Sequence, residues 1–248
     1  MPKNVRIGTC GFGSTKAVYA ENFSTVEIQT TFYQPPQVKT LEKWRSEMPD
    51  EFEFVLKAWQ LITHECTSPT FRRLKRKLSE NEALDAGFFK PTAIVQEALD
   101  YTLACADALQ ARTVLFQCPA KFLPTEENIE NLKNFVRGID RPDLNFGWEP
   151  RGAAWSDSTV KGICEELGLW HVVDPFSRPT MTPENCYYRL HGHPRWRYTY
   201  EDVELEELVY LLPDERLSYV FFNNVTMRDD AWRFEKVVRE AEVQARNL

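Results

Sequence analysis

A chain of 248 residues, 43% hydrophobic and 27% charged, is long enough to bury a full core and has the composition of an ordinary globular protein. Its formal net charge of −7 argues against chain-wide attraction to nucleic acid or to an anionic membrane. No run approaches the roughly 20 apolar residues of a membrane helix. The opening MPKNVRIGTCG leads into a strand pattern without the apolar core of a signal peptide, so a cytoplasmic location and no membrane partner are expected.

In chain order, eight short apolar runs read as strands: VRIGT, TVEIQT, EFVLK, RTVLFQ, LNFGWE, LWHVVD, CYYRLH and YVFFNN. They are apolar throughout rather than alternating, as parallel strands covered on both faces are. Between them VKTLEKWRS, AIVQEALDYTLACADALQ, TEENIENLKNFVRGI, SDSTVKGICEELG, YEDVELEELVYLL and DDAWRFEKVVREAEVQ carry helical spacing. Thr125 before Glu126 and Glu127, and Ser156 before Asp157, are helix-start signals. The order predicts an α/β fold, a (β/α)8 TIM-like barrel in one domain over residues 1–248, with a long insertion, 58–92, after the third strand. The first helix must be short, and PFSRPTMTPEN, with three prolines, leaves no room for a normal helix after the sixth strand. Within the insertion FRRLKRKL, residues 71–78, reads as an amphipathic helix with a solvated basic face. Six cysteines without a CxxC pair are not a disulfide framework. Four of them, Cys105, Cys118, Cys164 and Cys186, read as core, whereas Cys10 follows the first strand in a Gly-rich turn.

Chemistry in such barrels collects at the C-terminal strand ends, and most of these runs end in a reactive or polar residue. Glu27 and Glu149 form a candidate acid/base pair, since two carboxylates in one cavity have their pKa values pushed apart. His64 and His191 are candidates for moving protons near neutral pH. Lys57, Arg151, Arg189, Arg195 and Arg197 are the cations expected to hold an anion. Gln117, Asn223, Asn224, Tyr33 and Trp59 lie at or just beyond strand ends as further substrate contacts. Glu149, Asp174 and His191 together offer oxygen and nitrogen ligands for a divalent metal, the one cofactor these residues suggest; Asp174 before Pro175 equally suits a turn cap. The expected partner is a small anionic, phosphorylated or sugar-like substrate. The alternative is a nucleic-acid binder or metal-dependent nuclease, with Arg72, Arg73, Lys75, Arg76 and Lys77 on the phosphates. Oligomeric state stays open.

Seven segments in order, VRIGTCGF, FSTVEIQTTFYQPP, FEFVLKAWQLITH, LFQCPAKF, EPRGAAW, YYRLHG and VFFNN, make the chain resemble the YecE-like family, also called domain of unknown function 72. The resemblance spans almost the whole chain and implies a (β/α)8 barrel, but brings no settled reaction. Departures are local. TCGF stands where the family has TSGW or SSGW, VEIQ where it has VEIN, and Val225 where an acid often follows FNN.

Overall fold

The computed structural model describes residues 4–193 and 195–246. Its strands are β1 (Val5–Thr9), β2 (Thr25–Ile28), β3 (Glu53–Lys57), β4 (Thr113–Gln117), β5 (Asn145–Glu149), β6 (Trp170–Val173), β7 (Tyr187–Leu190) and β8 (Ser218–Phe222). The α-helices are α1 (Lys16–Ala20), α2 (Thr30–Tyr33), α3 (Val38–Ser46), α4 (Gln60–Thr63), α5 (Glu80–Asp85), α6 (Ala93–Leu109), α7 (Glu126–Arg137), α8 (Asp157–Leu167), α9 (Asp202–Tyr210) and α10 (Met227–Arg246). Eight parallel strands with helices between most of them make this a (β/α)8 TIM-type fold. All eight expected strands are present. No helix among the described residues is long and apolar enough to cross a membrane.

The chain divides into two compact units. The first holds residues 1–27, 48–53 and 170–248. Its ladder runs β1-β8-β7-β6, all parallel. An isolated bridge joins Cys10 to Glu27 on the other side of β1. The backbones approach closely there, because a Cβ on Gly8 would lie 2.3 Å from the Thr25 carbonyl oxygen. β7 and β8 are buried along their whole length, which explains their uninterrupted apolar sequence. Tyr19 is enclosed too, its hydroxyl donating to the Thr25 carbonyl.

The second unit holds residues 28–47 and 54–169, with β3-β4-β5 in parallel. Helix α6 buries Ile94, Val95, Ala98, Leu99, Thr102, Cys105, Ala106 and Leu109. Thr125 caps α7 by accepting from the Asn128 amide at 3.2 Å, and Ser156 caps α8 through the Thr159 amide at 3.1 Å.

The insertion departs from expectation. FRRLKRKL is not an α-helix: a 3-10 turn covers Pro69–Arg73 and residues 74–78 run without helix. Side chains capture the segment instead. Gln34 accepts the Lys75 amide at 3.1 Å, and Arg76 reaches to both Glu82 and Glu97. Ser79 then opens α5 with a capping box to Glu82. Between β6 and β7 there is no helix, as the prolines require. All six cysteines are free; five are buried and Cys66 is half-buried.

Candidate functional site

In the first unit the strand ends build a closed polar cluster around Glu27. Side chains two apart on a strand share a face, so β7 presents Tyr187 and Arg189 together. Glu27, at the end of β2, is fully buried. Its carboxylate accepts from the Tyr187 hydroxyl at 2.5 Å, from Arg189 Nε at 2.9 Å and Nη2 at 2.9 Å, and from the Cys10 thiol at 3.3 Å. Burial alone raises the Glu27 pKa, but the Arg189 guanidinium and these donors outweigh it and hold the carboxyl below its usual value. Burial first, and the Glu27 carboxylate next, push the Cys10 thiol and the Tyr187 phenol up, so both stay neutral donors. Glu27 is therefore held as a charged anchor for Arg189 at neutral pH.

Arg189 Nη1 lies 3.4 Å from His191 Nε2, and the His191 amide donates to Asp174 Oδ2 at 2.9 Å. Asp174 also takes the Phe176 amide at 3.2 Å, the turn cap that its place before Pro175 suggested. Asp174 and His191 are neighbours. Among the described residues no group of three or more His, Cys, Asp or Glu is arranged to hold an ion.

Asn224 is buried and its amide nitrogen donates within the protein, to the Tyr198 carbonyl at 2.7 Å and Asp230 Oδ2 at 2.6 Å. Asp230, fully buried at the start of α10, is held further by Arg233 at 2.9 Å. Asn223 contributes a backbone amide to the Leu190 carbonyl. Arg195 and Arg197 are exposed, with Arg197 lying 5.0 Å from the Trp196 ring.

In the second unit the ends of β3, β4 and β5 gather Lys57, Gln117 and Glu149, all buried, with Gln117 and Glu149 in register. Lys57 Nζ stands 3.6 Å from the centre of the Phe32 ring, whose edge meets the His64 imidazole, centroids 4.9 Å apart. Thr63 Oγ1 is 2.7 Å from His64 Nδ1. Arg151 Nε donates to Glu149 Oε1 at 2.8 Å. The His64 pKa falls to about 3: burial is the largest cause, then Lys57 and Arg151, with Glu149 opposing them. His64 is thus a neutral imidazole under two cations and one carboxylate.

Trp59 is buried against Tyr101, ring centres 5.8 Å apart, and its indole N–H has no hydrogen-bond partner among the described residues. Tyr33 carries the Arg73 guanidinium on its ring at 3.5 Å. Of the five basic residues at 72–77, Arg73 and Arg76 are engaged in this way within the protein. Sequence reasoning missed Tyr187, Phe32 and Thr63. For Tyr187 a signal existed, its two-residue spacing from Arg189; for the others the short helices after β2 and β3 decide the placement, and no pattern announced them.

A family model described as "Protein of unknown function DUF72" matches residues 14–247. The protein YunF of Bacillus subtilis is 23% identical, over 86% of this chain and 81% of its own length. The crystal structure of a DUF72 family protein from Enterococcus faecalis superposes with a TM-score of 0.73 at 22% identity, covering 95% of each chain. A D-tagatose 3-epimerase-like protein superposes with a TM-score of 0.58 at 13% identity, covering 98% of this chain and 99% of that one. At such identities the structural likeness speaks for the shared barrel fold alone.

Proposed function

The chain belongs to the DUF72 family of unknown function, and within that family we propose that it is an enzyme of hydrolase or isomerase type acting on a small anionic, phosphorylated or sugar-like substrate. One observation carries the reading. The buried His64 imidazole is acted on by two cations, the buried Lys57 and the exposed Arg151, and by the buried Glu149 carboxylate, at strand ends where barrels place their chemistry. The exposed Arg151 guanidinium beside these buried groups is a planar fork suited to an anionic ligand.

An anion seated there changes the imidazole. It offsets Lys57 and Arg151, the causes of the low pKa that rank after burial, and so raises the proton affinity of His64 toward acid/base work. With Nδ1 engaged by Thr63, Nε2 is the nitrogen left to exchange a proton. Glu149 is the second acid/base group, oriented by Arg151. The D-tagatose 3-epimerase-like neighbour is in keeping with sugar chemistry on this fold, as an analogy only.

The test is calorimetric titration with inorganic phosphate, sugar phosphates and sugar acids at low ionic strength, followed by NMR of the products. Released phosphate marks hydrolysis; a rearranged sugar that keeps its phosphate marks isomerisation. Lys57→Gln is expected to weaken binding at least about tenfold, the scale of a charge-assisted hydrogen bond. If no compound of these classes binds, the proposal fails. The nucleic-acid alternative is supported less, because Arg73 and Arg76 are engaged within the protein.

A further inference from the structure

Adjacent phenylalanines in the insertion are held in a conformation that bulky residues avoid. Gly87, Phe88 and Phe89 have φ values of 85°, 55° and 54°, all left-handed. Two hydrogen bonds impose it, from the Gly87 amide to the Leu61 carbonyl at 2.8 Å and from the Phe89 amide to the Ile62 carbonyl at 2.9 Å. Gly87 lies so close that a Cβ on it would meet the His64 carbonyl at 2.4 Å. Packing accounts for Phe89, which is buried among Phe116, Phe122 and Phe135. Phe88, in the same left-handed conformation, stays half-exposed, its ring 5.3 Å from that of Phe122 between centroids.

Phe88 lines an open cavity of about 180 Å³. Its apolar wall is Phe88 with Pro69, Pro119 and Ala120, and its polar wall includes Glu65, Thr67 and Lys121. Two of the cavity's lining residues are tied through the backbone to the His64 cluster. Glu65 directly follows His64, and Ala120 packs against Gly152, the residue after Arg151, where a Cβ would come within 3.4 Å. Non-glycine residues held in the left-handed region cluster at ligand-contacting positions.

We infer that this cavity is a ring subsite: Phe88 stacks under the sugar ring of the substrate whose anionic end lies with Lys57 and Arg151, while Thr67, Glu65 and Lys121 meet its hydroxyls. A pyranose or furanose has one face of C–H groups for an aromatic ring and hydroxyls at its edge, matching the two walls. The subsite rests on the reading of the Lys57–His64 cluster as an anion site.

The experiment is calorimetry with inorganic phosphate and with a panel of pentose and hexose phosphates on the full chain and three variants. Phe88→Gly removes the ring and relaxes the left-handed backbone, so the fold is retained; Phe88→Tyr keeps the ring; Lys57→Gln removes the cation. At least one sugar phosphate is expected to bind more tightly than inorganic phosphate. Phe88→Gly should lower that affinity about tenfold and leave inorganic phosphate unchanged, Phe88→Tyr should retain it, and Lys57→Gln should weaken both ligands. If sugar phosphates bind no better than phosphate, or Phe88→Gly weakens neither ligand or both alike, the ring subsite is overturned and the anion site stands. If neither phosphate nor any sugar phosphate binds, the anion reading itself falls, and the subsite with it.

Discussion

Replacing Glu27 with Gln removes the charge partner of a guanidinium that is 1% exposed. A buried charge left without its partner costs about 3–5 kcal/mol, so Glu27→Gln is expected to lower stability by that order in urea unfolding. The double change Glu27→Leu with Arg189→Met should recover much of it, since both charges then go. The pH dependence has a definite sign. His64 has a folded value of about 3 against an ordinary 6.5, so between those values the unfolded chain takes a proton that the folded chain refuses. Its contribution is full above pH 6.5 and is lost as pH falls through that window. Glu27, depressed by Arg189, adds a loss at lower pH, present above its ordinary value and gone below its folded one. Urea midpoints measured from pH 7 to 4 should fall less steeply for His64→Gln than for the parent; equal slopes would remove His64 as the source.

At the scale of elements, the strands were legible because parallel strands buried on both faces leave unbroken apolar runs, and β4, β7 and β8 are buried at every residue. The caps at Thr125 and Ser156 were legible for an equally local reason, and Thr125→Ala should cost about 1 kcal/mol in thermal unfolding. The insertion was not legible. Its helical spacing at 71–78 is real, yet long-range partners, Gln34 on the Lys75 amide and Glu97 on Arg76, hold the segment out of a helix. The site shows the same division. Sequence named Glu27, Arg189, Lys57, His64 and Glu149, but not that each carboxylate has its own arginine, because that depends on side-chain direction. The Gly87 turn gives the sharpest prediction for the insertion. Gly87→Ala combines φ +85° with a backbone contact of 2.4 Å, so it should destabilise by several times the roughly 1 kcal/mol that a forced left-handed residue costs alone.

For the whole molecule, a bound anion should appear as stability. Phosphate at 100 times its dissociation constant stabilises by about 2.7 kcal/mol, several degrees of melting temperature for a chain of this size. Chloride at matched ionic strength should not reproduce the shift, and Lys57→Gln should abolish it; an equal shift in chloride would mark general screening. The thiols give the molecule a built-in reporter. Five of the six are sealed in the interior and Cys66 alone is partly open, two residues after His64 and next to Glu65 on the cavity wall. An aromatic disulfide reagent should therefore titrate one thiol quickly in the native protein and all six in denaturant. A fluorophore on Cys66 would then signal occupancy of the neighbouring cavity in real time, with no engineered cysteine and none removed.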